Sequence, residues 1–435
     1  MVQTPFRKIE RYIDKGYLLS LFVIALTLPV SPFFLQNILS YSTILYLIFS
    51  LGKIFITKDF SLKENKIFLI LFSSIFVWWA FGILYSDNIN SAFRLLETKL
   101  GLQLIPFFIL TISPLSKQNF KSLLKVYALG ITVYMLFSYL MIFVQNYQYN
   151  EFKQIVYPFY MYHSLVHFIG MHATYMAIQV ALAIFIVLDI GMANSDKKIS
   201  ENILNLIWLS FLVFVLISLT VKMIILAFLI SLIVFVFARI GFKRALKIIS
   251  PLILIGLLSV WVLSDHNWFK KRLGLDGKFE IEDYSMDPEN VKGKWGSLNM
   301  RIALAQINLE LIKKNPVFGV GIGDEKEARL NAYIAHDFKF GINNRFNEHN
   351  QYLNLLLSAG MIGLFIFIFV IAYPAVLAWK SKDAIYLAYL TLIIISFLTE
   401  NYLSRQIGVM FFAFFHSLFW QQMSFRNKTI QSKSV

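Results

Sequence analysis

The sequence predicts an all-helical membrane protein of about twelve transmembrane spans, with one large polar loop that itself contains helices. Three observations predict this. Hydrophobic residues make up 58% of the 435-residue chain and charged residues only 15%, a composition that would leave large apolar patches on a soluble particle. Apolar runs of roughly 17 to 25 residues recur along the chain, the length at which a helix crosses a bilayer. Basic residues fall in alternate loops between those runs, as the positive-inside rule requires.

In order, the candidate spans are 17–36, 38–56, 67–85, 100–114, 122–144, 172–190, 203–219, 222–240, 248–263, 353–379, 384–398 and 407–420. Arg7, Lys8, Arg11 and Lys15 precede the first run and resemble the basic region of a signal peptide. Leu18 to Leu35 is too long for a signal core and lacks a small-residue cleavage motif, so it reads as the first span. The span at 100–114 is short and carries Pro106, which suits a tilted or re-entrant piece.

With the N-terminus inside, one side of the membrane receives Lys58, Lys63 and Lys66, then Lys117 and Lys121, then Lys197 and Lys198. The same side receives Arg239, Lys243, Arg244 and Lys247, then Lys380 and Lys382, and last Arg426 and Lys428. The opposite short loops hold only Arg94, Lys99, Lys153, Lys222 and Arg405. Both termini are therefore expected inside and residues 264–350 outside. The chain divides into an N-terminal bundle of about nine spans (1–263), an outer loop (264–350) and about three C-terminal spans (351–435). The formal net charge of +15 is explained by this asymmetry, so no nucleic-acid partner is expected. The absence of cysteine excludes disulfides, thiolate metal sites and cysteine nucleophiles.

The outer loop begins with turn-rich segments around Asp276-Gly277, Asp287-Pro288-Glu289 and Lys292-Gly293-Lys294. From Ser297 a helix is predicted, with Leu298, Ile302, Ala305, Leu309 and Ile312 at helical spacing and Asn315-Pro316 as its stop. The following Phe318-Gly319-Val320-Gly321-Ile322-Gly323-Asp324 contains G-x-G-x-G, but it neither leaves a strand nor opens a dinucleotide-binding helix. A glycine turn that lets backbone approach another helix or an anion fits better.

Asn347-Glu348-His349-Asn350-Gln351-Tyr352-Leu353 then leads from the loop into the next span. Read as a helix, it puts His349, Leu353, Leu356 and Gly360 on one face, with the histidine where the helix meets water. The alternative is a helix N-terminus whose Asn and His satisfy free amides. Lys222, Arg301 and Arg345 lie at the same membrane surface on this topology. Singly, each is explained by snorkelling or a solvated face, but together with His349 they suit a pyrophosphate. His172 and Tyr175, opening the sixth span, are candidates for the pocket lining, and Glu400, Asn401 and Arg405 for hydrogen-bonding partners. His163, His167 and His172 form H-x3-H-x4-H, of which the first two could share a helical face. No carboxylate lies close in sequence, so no metal site is expected. Acidic residues in the loop show no D-x-D motif, which disfavours a metal-dependent nucleotide-sugar enzyme.

The arginine-bearing loop helix, Asn315-Pro316-Val317-Phe318-Gly319-Val320-Gly321, and Glu348 to Leu353 followed by Gly360-Met361-Ile362-Gly363-Leu364 resemble the O-antigen ligase and O-antigen polymerase family. The resemblance covers about residues 205–370. It implies a C-type glycosyltransferase-like fold and an inverting, metal-independent membrane glycosyltransferase that needs no cofactor. Its donor would be an undecaprenyl-pyrophosphate-linked glycan. The acceptor would be lipid A–core or another glycan, at the periplasmic face of a bacterial inner membrane. Arg301 and His349 match the family's loop arginine and histidine. Lys222, preceded by Val221, stands where the family has a Ser-Arg pair, so the charge is kept and the bidentate fork is lost. A transporter or exporter of glycan or a small solute is the competing class. The sequence offers it no inverted repeat, no paired broken helices and no charged midplane path.

Overall fold

A helix satisfies its own backbone inside hydrocarbon, whereas an open sheet does not. Among the described residues every regular element is helical. The structure, a computed structural model, describes residues 5–30, 37–60, 62, 65–148, 161–192, 199–247, 249–251 and 297–431. Seven helices among these residues are long and apolar enough to cross a membrane. They are Ile38–Phe55, Lys66–Tyr85, Lys117–Gln145, Ala173–Met192, Ile199–Ser218, Lys222–Ile240 and Gln351–Lys380.

The predicted spans at 38–56, 67–85, 122–144, 172–190, 203–219, 222–240 and 353–379 fall on these seven. The others differ. The span at 17–36 overlaps the helix Pro5–Thr27, and 407–420 lies within Gln406–Gln431. The run at 384–398 forms the 13-residue helix Ala384–Ser396. The run at 100–114 yields only the 11-residue helix Gly101–Thr111, which rises about 16 Å, roughly half of a hydrocarbon core. Its exposed C-terminal carbonyls are met from the last helix: Gln421 donates to Ile109 O and, at 2.7 Å, to Ile112 O. Nearly all of the predicted span 248–263, the turn-rich segment 264–296, and Lys153, Lys197 and Lys198 lie outside the described residues.

The main core is built around Ala173–Met192, which is buried on every side from Ala173 to Val187, and around the aromatic face of Gln406–Gln431. Phe411, Phe415 and Phe419 there pack against Tyr386 and Tyr389. A histidine inside this apolar layer needs both ring nitrogens satisfied. His416 meets Tyr386 Oη at 3.0 Å and Val370 O at 3.0 Å.

The outer segment has a small core of its own, in which Ala303, Leu304 and Ile307 of the helix Ser297–Lys314 meet Tyr333 and Phe338. That helix ends at Lys314, where the Asn315-Pro316 stop predicts. Its buried face is rotated from the predicted one: Leu309 is exposed, while Asn308 is buried. Apolar residues occur nearly all round this helix, so its partners and not its spacing selected the face.

The glycine turn docks on the helix that follows it. Val320 N donates to Leu357 O at 2.8 Å, and Met361 N donates to Pro316 O at 2.8 Å. Gly319 has φ 75°, and a Cβ there would sit 2.6 Å from Leu357 O. Gly360, at φ 65° and ψ −170°, breaks the helix Gln351–Lys380 and exposes the carbonyl that Val320 uses. The sequence reading of backbone approaching another helix therefore holds. Predicted helical continuity through Gly360 does not. Asp324 closes the clamp by accepting from Asp87 N and Asn88 N, both at 2.8 Å.

Candidate functional site

The residues between the loop and the next span do not form a continuous helix. Asn350 is the N-cap, its side chain accepting from Tyr352 N at 2.9 Å and Leu353 N at 3.1 Å. His349 precedes the cap with φ 45°, and its own amide is held by Asn347 Oδ1 at 3.0 Å. It therefore does not share a helical face with Leu353 and Leu356. A left-handed backbone at a bulky residue is sparsely populated, and surrounding contacts must hold it.

That turn aims His349 at Glu400, with Nδ1 3.7 Å from Oε2. This is ion-pair range, longer than a good hydrogen bond. Burial pushes the Glu400 carboxyl up, but His349, and beyond it the charges of His172 and Arg301, outweigh burial and hold it below the ordinary glutamate value. Glu400 is 8% exposed. Arg301 reaches the same place from the loop helix, where burial pulls its guanidinium below the ordinary value against the opposing charge of Glu400. Its Nε is buried and has no hydrogen-bond partner among the described residues. A buried donor of this kind is costly unless something accepts from it.

His172 completes the cluster. Burial, and then the neighbouring His163, push it down to about 4, with Arg405 and His349 acting in the same direction against Glu400. Thr174 N donates to His172 Nδ1 at 3.3 Å, so neutral His172 carries its proton on Nε2. The His163 and His172 rings are 4.4 Å apart. The pair that meets is thus His163 and His172, not the predicted His163 and His167, because the helix that carries His163 stops at Val166 and His167 opens a 3₁₀ segment against Phe168. No group of three or more His, Asp or Glu among the described residues is arranged to hold a metal ion. Tyr175 donates to Asn401 O at 3.2 Å and stacks on Tyr402, which anchors the floor of the cluster.

Lys222 and Arg345 stand apart from this group. Lys222 is exposed at the start of its helix and is not among the leading charges acting on Glu400, His172 or Arg301. Arg345, also left-handed at φ 47°, turns into a cavity of about 590 Å³ next to the cluster, shared with Arg329, Asn354, Asn401 and Arg405.

Beside that cavity lies a buried network in which the sequence reading names only Asn401 as a hydrogen-bonding partner. Glu348 is 2% exposed and pairs with Arg329. Asn401 donates to Glu348, and its Oδ1 accepts from Asn350 N at 3.0 Å. Glu325, buried, accepts from Asn354 Nδ2 at 3.0 Å. Burial and the nearby Glu348 hold Glu325 above the ordinary carboxylate value. This buried network fixes the strand of backbone that carries His349. One signal was available in sequence: Glu348 adjoins the singled-out histidine. Of its partners, Asn401 was a candidate hydrogen-bonding residue, whereas Arg329 comes from a remote segment and carried no signal.

No individual curated protein matches the chain. Residues 206–368 match the family described as O-antigen ligase. That stretch contains Lys222, Arg301, Arg345, His349 and the Gly319–Gly360 clamp, while His172, Tyr175 and Glu400 come from outside it. Over residues 206–368, which are less than half of its length, the chain is similar to the O-antigen ligase family.

Proposed function

We propose that the protein transfers a glycan from an undecaprenyl-pyrophosphate carrier to an acceptor hydroxyl at the periplasmic face of a bacterial inner membrane, by an inverting reaction that uses no metal. The family match supports glycan transfer in surface-polysaccharide synthesis. The observation that carries the finer reading is the meeting of Arg301, His349, Glu400 and His172 beside a polar cavity, at the ends of the spans and not within them.

In this reading the acceptor oxygen attacks the anomeric carbon, the bond to the pyrophosphate oxygen breaks, and the acceptor proton passes to His349. Glu400 beside Nδ1 orients the ring so that Nε2 faces the hydroxyl and stabilises the imidazolium that forms. Arg301 offers its unpartnered Nε and its fixed charge to the departing pyrophosphate, where charge grows in the transition state. Arg345 and Arg405, lining the cavity, supply further positive charge for the donor, and Lys222 joins them on the strength of the resemblance alone. His172 and Tyr175 shape the pocket. The outer loop (264–350) stands between the bundle (1–263) and the closing spans (351–435), with both termini cytoplasmic.

The test is a gel of lipopolysaccharide from a deletion strain, with the chain restored in parallel. Loss of every glycan from lipid A–core assigns a ligase, and a single repeat left on core assigns a polymerase. In either case carrier-linked glycan should persist in the outer leaflet; its depletion there together with bare core would overturn transfer in favour of export.

A further inference from the structure

At the opposite end of the bundle from the candidate site lies a second cavity, of about 550 Å³. It opens between the start of Lys117–Gln148, the ends of Ala173–Met192 and Lys222–Ile240, the start of Ala384–Ser396, and the end of Gln406–Gln431. Its lining divides by depth. Leu124, Ile186, Ile385 and Phe419 make an apolar wall between the helices, and Lys117, Lys121, Arg239, Lys382 and Arg426 converge at its rim.

The positive-inside rule explains why cations gather on one face, but it does not require them to ring a cavity. Two of the five are held in place. Arg239 pairs with Asp189 at 3.3 Å, and Arg426 pairs with Asp383 at 3.1 Å. Asp383, itself 8% exposed, also caps Ala384–Ser396 by accepting from Tyr386 N. Asn427 donates to Ser381 Oγ at 2.7 Å and fixes the last helix against the turn that carries Lys382. Lys382 has φ 52°, a left-handed conformation that fixes how its stem leaves the turn. Lys117, Lys121 and Lys382 have no carboxylate partner among the described residues, so the rim keeps a positive excess.

We propose that this cavity binds an anionic phospholipid, with the phosphodiester among the three lysines and an acyl chain along the apolar wall. A small anion would use the rim and leave the wall bare, whereas an amphiphile uses both. Basic pockets between spans on the inner side of a membrane are suited to such headgroups.

The full-length protein would be reconstituted in mixed phosphatidylcholine and phosphatidylglycerol vesicles, extracted in mild detergent, and its retained lipid quantified by mass spectrometry. Phosphatidylglycerol should be enriched over phosphatidylcholine. Lys117→Gln, Lys121→Gln and Lys382→Gln together should cut that enrichment about tenfold or more. Lys58→Gln with Lys66→Gln, on the same face but outside the cavity, should leave it unchanged. Equal retention of both lipids, or an equal loss in the control variant, would overturn the site. Displacement by excess inorganic phosphate would overturn the lipid assignment in favour of a free-anion site. As a measurement independent of any variant, phosphatidylglycerol should raise the melting temperature of the native protein where phosphatidylcholine and inorganic phosphate do not, and a rise with phosphatidylcholine alone would count against the proposal.

Discussion

His349 Nδ1 stands 3.7 Å from Glu400 Oε2, although the span Gln351–Lys380 and the helix Ala384–Ser396 separate the two residues in sequence. The two helices run out and back, so the turn before the first and the turn after the second meet at one end. Asn350 ties these turns together by donating to Leu398 O at 3.1 Å, and Gln351 N donates to Phe397 O at 2.8 Å. If the pair acts as a unit, its variants should not add. His349→Ala and Glu400→Gln should each slow glycan transfer by on the order of a hundredfold, and the double variant should be little slower than His349→Ala alone. Multiplicative losses in a reconstituted assay would show that the residues act separately.

Arg301 is predicted to serve the leaving group. Arg301→Ala should reduce turnover by on the order of a hundredfold, the usual cost of removing one charge-assisted contact to a developing anion. Arg301→Lys should recover part of it, since the charge returns without the planar fork. Lys222→Arg should stay active, because the family resemblance places an arginine there. Carrier affinity and turnover must be measured separately, with matched amounts of protein in the membrane. Normal turnover by Arg301→Ala would remove it from the mechanism.

Acid should weaken the cluster. His172 is depressed to about 4 from an ordinary value of 6.5, so its contribution is complete above about pH 6.5 and is lost as the pH falls toward 4. Glu400 is also depressed, and its contribution is lost only at still lower pH, below the ordinary glutamate value of 4.5. His172 therefore predicts a melting temperature that falls between pH 7 and pH 5, and Glu400 adds a further fall below about pH 4.5. His172→Phe should flatten this slope while leaving the more acidic loss in place. A slope that is unchanged in His172→Phe would locate the sensitivity elsewhere.

Gly360→Ala should destabilise the protein by about 2 kcal/mol or more, since φ 65° is strained for alanine and the added Cβ meets the Val317 carbonyl. The same change at Gly363, where φ is not positive and the nearest atoms are the Ala359 and Trp78 side chains, should cost less. Thermal melting of the two purified variants compares them directly.

Transfer should survive chelation. Reconstituted activity that is abolished by EDTA and restored by a divalent ion would remove the metal-independent mechanism and direct attention to His163 and His172.

Much of the fold was legible because membrane spans are encoded locally. A run such as Lys222–Ile240 must be apolar and helical whatever its neighbours are. The Asn315-Pro316 stop and the Asn350 cap act through one or two peptide groups, so they too can be read in place. The shortness of the run at 100–114 was legible from its length and Pro106, but the Gln421 side chain that covers the terminal carbonyls of Gly101–Thr111 was not. The buried face of Ser297–Lys314 was decided by Tyr333 and Phe338, which pattern could not weigh.

The sequence by itself determined the membrane class and carried the likeness to the O-antigen ligase family, and it named Arg301 and His349 as site candidates, since these rest on local composition and a contiguous motif. The tertiary structure alone decided that Glu400 faces His349, that His163 meets His172 and not His167, and that Glu348 is locked by Arg329 and Asn401. Each of these pairings joins turns that long helices carry to the same end of the bundle. The contact depends on how those helices pack in three dimensions, and no spacing along the chain encodes it.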